Sequence, residues 1–125
     1  MPSGVFGALM EFSAGQTWVS LVAIMDGGTS LYFGTGGGII GAGGKEPVRV
    51  ANRLFLETAG RFVSEFAKVT EYPPPKPGCV RFYVLMSDGV HASEEMDESA
   101  LQIAGNHFLP LYAAAQNVIT HIRLS

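Results

Sequence analysis

Twice in this chain an apolar run ends in Asp-Gly and a second run begins just beyond it, at Asp26-Gly27 and at Asp88-Gly89. A primed two-residue turn needs positive φ, which glycine adopts without steric cost, so the repeated pattern predicts two β-hairpins. The first run, Trp18-Val19-Ser20-Leu21-Val22-Ala23-Ile24-Met25, is almost continuous and partly β-branched. That is the mark of a strand with apolar residues on both faces, and Thr29 to Gly34 reads as its return. The second run alternates, with Val80, Phe82, Val84 and Met86 on one face and Arg81, Tyr83, Leu85 and Ser87 on the other. Its return, Val90 to Glu95, is shorter and more polar and suits a sheet edge.

Between the hairpins, Val48, Ala51, Leu54, Phe55, Ala59, Phe62, Val63 and Phe66 recur at three and four residues, which predicts an amphipathic helix from Pro47 to Val69. Arg53, Glu57, Arg61 and Glu65 alternate in sign on the opposite face, and Glu46 and Pro47 suit the first turn. Phe6, Leu9 and Met10 are spaced for a short helix over residues 5–14. In the last third, Gly105-Asn106 and Pro110 predict a break between helices over about 98–104 and about 109–123. Tyr112, Ala115, Val118, Ile119 and Ile122 then face the core from the second of these. Tyr72-Pro73-Pro74-Pro75-Lys76-Pro77-Gly78 can continue neither a helix nor a central strand, and reads as an extended connection. The expected product is one α+β domain over residues 1–125: a four-stranded antiparallel sheet from two hairpins, with helices packed on it in the order (α)ββα-ββα.

Composition narrows the function. Eight Lys and Arg against eleven Asp and Glu give a net charge of −3, so there is no basic footprint for nucleic acid. No run approaches the roughly 18 apolar residues of a membrane span, and no signal-peptide pattern opens the chain, so no membrane partner is expected. Cys79 stands alone, which excludes an internal disulfide framework and makes a reducing cytoplasm the simplest home. Charged residues make up only 15 % of the chain against a usual ~25 %. With apolar residues on both faces of the first strand and helices over only one, the other face needs a cover. That predicts self-association, with strand 18–25 and helix 47–69 as candidate interface elements.

Three constellations could carry chemistry. Seven glycines fall within residues 34–44, and Gly36-Gly37-Gly38-Ile39-Ile40-Gly41 fits G-x-G-x-x-G between a strand and a helix. Its amides are a candidate anion or nucleotide site, with Gly36, Gly37, Gly38 and Gly41 as binding residues, although a bulged loop explains the same glycines. The Walker pattern fails, because Lys45 is followed by Glu46 and not by Ser or Thr. Glu94, Glu95, Asp97 and Glu98, with His91 nearby, could hold a hard cation but equally suit a solvated turn before a helix. Cys79 with His91, His107 or His121 could form a nucleophile pair, yet nothing in the sequence activates the thiol, and the histidines lack metal-ligand spacing. No catalytic residue, metal ligand or cofactor is therefore assigned. Trp18, Tyr32, Phe33, Phe82 and Tyr83 read as ordinary core residues of strands.

The apolar strand running into an acidic-glycine turn, Val22-Ala23-Ile24-Met25-Asp26-Gly27-Gly28, followed by the amphipathic helix from Pro47 to Val69, resembles the roadblock family of dynein light-chain-like proteins and the wider profilin-like folds. The resemblance implies a homodimer that scaffolds other proteins or regulates a small GTPase, with no catalytic residues. The expected function is thus a non-catalytic, self-associating interaction module. The competing reading is a small-molecule or nucleotide-binding domain using loop 34–44.

Overall fold

A computed structural model describes residues 4–124. Strands β1 (Val5–Ala14), β2 (Thr17–Ile24), β3 (Thr29–Phe33) and β4 (Gly38–Ile39) lead to helix α1 (Glu46–Phe62). Strands β5 (Ala67–Val69), β6 (Cys79–Met86), β7 (Gly89–Ala92) and β8 (Met96–Asp97) follow, and helices α2 (Glu98–Leu101) and α3 (Leu109–Leu124) close the chain. All eight strands join one antiparallel sheet in the order β4-β3-β2-β1-β6-β7-β5, with β8 beside β6. The fold is α+β, and both Asp-Gly hairpins are present as β2–β3 and β6–β7.

The expected N-terminal helix is instead the central strand. Residues 5–14 form β1, paired with β2 from Gly7↔Ile24 to Ala14↔Thr17 and with β6 from Val5↔Met86 to Phe12↔Val80. Three apolar residues at helical spacing could not separate the two periods, because Ala8, Met10 and Phe12 also alternate on one face. Sheet pairing decides for the strand, and Gly7 suits its place in it, because a Cβ at this position would lie 2.8 Å from Leu85 Cδ1 and 3.1 Å from Ile24 Cδ1. Pairing on both sides lets β1 join the two hairpins into one sheet.

Helix α1 is also shorter than its apolar stripe. It ends at Phe62, a turn over Val63–Glu65 follows, and Ala67–Val69 form β5 against β7. Phe66 still reaches the core after the turn, so the helical spacing outlasts the helix. Strand β7 is consequently not an edge, since β5 covers it. The sheet has eight strands and not four because β4, β5 and β8 have two or three residues each, too few to set up a period. The break before α3 forms as expected: Gly105 takes φ +90°, and the Asn106 side chain accepts from Phe108 N at 2.9 Å and donates to Ala100 O at 3.0 Å.

One face of the sheet carries the core. Ala8 and Met10 of β1, Leu21 and Ala23 of β2, and Val80, Phe82 and Val84 of β6 are buried against Val48, Phe55 and Ala59 of α1 and Leu111, Ala115, Val118 and Ile122 of α3. Asn52 fixes α1 to the first hairpin. Its side chain is 2 % exposed, donates to Ile24 O at 3.0 Å and accepts from Thr29 Oγ1 at 2.8 Å. Every polar atom in that buried contact is thereby matched.

Candidate functional site

The opposite face of the sheet carries no helix among the described residues. Register places its side chains in rows. Tyr32, Ser20, Glu11 and Arg81 lie across β3, β2, β1 and β6; Val22, Leu9, Tyr83 and Ala92 lie across β2, β1, β6 and β7; Ile24, Gly7, Leu85 and Val90 form the next row. Leu9, Val22, Ile24, Leu85 and Val90 are only half-buried, and Tyr83 and Ala92 are buried outside the core cluster. Trp18, in a further row, remains 36 % exposed and leans on Gly34, where a Cβ would come within 2.8 Å of the indole ring. Tyr32 and Phe33 are likewise exposed, so of the aromatic strand residues expected in the core only Phe82 and Tyr83 are buried.

Part of this face is crossed by the connection 70–78. Tyr72 sets its ring edge-on to Tyr83, with centroids 5.9 Å apart, and Pro75 is buried. The strap is tied down by Gly78 N donating to Ser13 Oγ at 2.6 Å, Arg81 Nη1 donating to Pro73 O at 3.3 Å, and Lys76 N donating to Glu95. Beside it a hollow of about 360 Å³ is lined by Leu9, Glu11, Val22, Tyr72, Tyr83, Leu85 and Val90. Its surface is apolar apart from a few polar tips. Burial pushes the Tyr83 phenol above its ordinary range; Glu11 reinforces the rise, while the nearby Arg81 guanidinium opposes it. The Tyr83 hydroxyl is nevertheless buried without a well-formed hydrogen bond. Glu11 Oε2 accepts from Ser20 Oγ at 2.7 Å.

The glycine loop lies at the far end of the sheet. Gly36 and Gly37, at φ +101° and +81°, turn the chain from β3 into β4, where Gly36 N donates to Phe33 O and Gly37 O accepts from Phe33 N. Gly38 sits in β4, and Gly41 precedes a turn over Ala42–Gly44 that leads into α1. In that turn a Cβ on Gly43 would lie 1.8 Å from Gly27 O, so the loop packs backbone to backbone against the first hairpin. Turn geometry and close approach thus account for glycine at positions 36, 37, 38, 41 and 43. Gly36, Gly37, Gly38 and Gly41 are all exposed.

The carboxylates at 94–98 are engaged separately. Asp97 caps α2 by accepting from Ser99 N at 3.1 Å, Glu98 accepts from Tyr112 Oη at 2.7 Å, and Glu95 holds the strap. Glu94, Glu95 and Asp97 border a cavity of about 550 Å³ whose lining includes Phe66, Leu101 and Phe108. His91 pairs with Asp88 at 3.0 Å and not with this cluster, and that bond holds the exposed Asp88 carboxyl below its usual range. His107, expected among apolar helical residues, stands exposed in the turn before α3, 2.8 Å from Glu65. Among the described residues no group of three or more His, Cys, Asp or Glu is placed to hold a metal, and no hydrogen bond joins Cys79 to a histidine.

Sequence reasoning placed Arg81, Tyr83 and Leu85 on one strand face but missed Glu11, which it put on a helix, and the Tyr72 strap. The alternation of Leu9, Glu11 and Ser13 was the available signal. Comparison with models of known protein families, with curated proteins and with solved structures returns no match. The helix-free sheet face, crossed in part by its strap, is the feature of this fold that sets its candidate function.

Proposed function

We propose that this chain is a non-catalytic interaction module that pairs with a second copy through the helix-free sheet face and scaffolds other proteins. One observation carries the reading: Leu9, Val22, Leu85 and Val90 surround an apolar hollow over which the described chain lays only Tyr72. A contiguous apolar field in the middle of a sheet favours burial at roughly 25 cal/mol per Å² removed from water, and a closed dimer buries it symmetrically. The low charged fraction points the same way. The roadblock-like order of hairpin and helix supports a scaffolding role, with regulation of a small GTPase as one form of it. In the two-layer fold the helix layer stays free for such partners: Val50 and Leu54, one turn apart on α1, are 58 % and 46 % exposed. A reducing cytoplasm suits the lone Cys79.

Val22→Lys tests the reading, because Val22 is half-buried on the open face and remote from the α1–α3 core. By light scattering the parent protein is expected to show the mass of two 13.3 kDa chains. The variant, with a charge at the centre of the contact, should associate more than about tenfold more weakly while keeping its circular dichroism. A parent protein with the mass of one chain would overturn the reading.

A further inference from the structure

Strands β5 and β7 diverge at one end. Their pairing stops at Ala67↔Ala92; beyond it β5 is reached from the Val63–Glu65 turn, whereas the chain leaving β7 runs on to β8, which pairs with β6 instead. The cavity of about 550 Å³ lies in this fork, since residues 65–67 line it from one side and residues 92–97 from the other. That volume falls within the ~300–1,000 Å³ typical of small-molecule sites. Its apolar lining includes two aromatic side chains that neighbouring rings hold in place. The Phe108 ring lies 6.2 Å from that of Phe66 and 5.3 Å from that of Phe62 between centroids, and Leu101 and Phe66 are buried beside it.

The rim sets the sign of the ligand. Glu65, Glu94, Glu95 and Asp97 all border the cavity, and among the described residues no Lys or Arg does. Glu95 and Asp97 accept from backbone N–H groups and Glu65 pairs with His107, so these carboxylates are settled without a ligand. None of Glu94, Glu95 and Asp97 lies within 4.0 Å of a Lys, Arg or His among the described residues, however, and the field at the mouth is negative. Such a field attracts a cation and repels an anion, and an aromatic wall adds to the attraction where the cation lies over a ring. We infer that the fork binds a small organic cation: an ammonium group carried on an apolar, ring-bearing body. The body fills the space beside Phe66, Leu101 and Phe108, while the ammonium stays at the carboxylate rim, still partly hydrated. A bare alkyl chain, such as one lysine side chain, leaves most of this volume unfilled, which favours a free small molecule over a protein side chain. The cavity shares no lining residue with the hollow on the open sheet face, so the inference stands independently of self-association.

The test is a titration of the parent protein read by backbone amide shifts, with four probes that separate charge from body. Phenethylammonium carries both, phenethyl alcohol the body alone, 3-phenylpropionate the body with the opposite charge, and ammonium chloride the charge alone. At millimolar concentration phenethylammonium is expected to move the amides of Phe66, Met96 and Leu101 along a saturable curve, with half-saturation about tenfold below that of the alcohol. The propionate and ammonium should leave these amides unmoved. Glu94 is exposed and its side chain makes no hydrogen bond, so Glu94→Lys should keep the parental unfolding temperature while binding phenethylammonium at least about threefold more weakly. No shift at the three amides, or shifts confined to Leu9 and Val22 on the sheet face, would overturn the site. An equal response to the alcohol or to the propionate would overturn the selection for a cation, and an equal response to ammonium would reduce the effect to counter-ion binding and overturn it as well. Unchanged binding by folded Glu94→Lys would overturn the part assigned to the rim.

Discussion

Tyr112 shows how far single residues could be read. Its helical spacing places the ring in the core, where it is 7 % exposed, but nothing local in the sequence points to Glu98, fourteen residues earlier, as the acceptor of its hydroxyl. Burial, and then the Glu98 carboxylate, push this phenol up to about 12 from its ordinary 10.0. The folded chain therefore holds the proton more tightly than the unfolded one. The resulting stability is complete below about pH 10 and is lost as pH rises from there through about 12, because the unfolded chain ionises first. In thermal unfolding at about pH 9 and about pH 11, Tyr112→Phe should lose less stability across that interval than the parent protein. Equal losses would mean that the phenol is not held in this way. Asn52 has the same history as Tyr112. Its position fits the buried stripe of α1, while its partners Ile24 O and Thr29 Oγ1 lie in the preceding hairpin, beyond any local pattern.

Among the elements, those with an unambiguous period or a strong stop were legible: β2, β3, β6, the body of α1 and the break before α3. Two misreadings share a cause. Residues 5–14 and 63–69 carry apolar spacings compatible with both helix and strand, and sheet pairing decided between them. The first segment is drawn in by open partners on both sides, the second by the exposed edge of β7. Amide hydrogen exchange separates the alternatives directly. As the central strand, Met10 and Glu11 should exchange among the slowest amides of the protein, close to the rate of global opening. A short helix at a chain end would fray and exchange early, and fast exchange at these two residues would contradict the assignment of β1. The glycine-dense stretch was legible as irregular chain. Its reason was not, since the contact of Gly43 with Gly27 O depends on two turns meeting in space.

On the scale of the whole molecule, the sequence already implied that one sheet face lacks a cover, from the double-sided apolar character of residues 18–25 alone. What it could not supply was the composition of that face, which depends on β1 standing between β2 and β6 and bringing Leu9 and Glu11 beside Val22, Tyr83 and Arg81. The candidate site is therefore a product of strand order. Its half-buried apolar centre, Leu9, Val22, Leu85 and Val90, is what the proposed pairing with a second copy would cover. The most direct measurement is the accessibility of methyl groups to a soluble paramagnetic probe. If the face is covered in solution, the methyls of Leu9, Val22, Leu85 and Val90 should be shielded almost as well as that of the core residue Val118, while Ile40 and Ile103, 75 % and 63 % exposed, relax strongly. Relaxation of the four face residues approaching that of Ile40 and Ile103 would contradict the account.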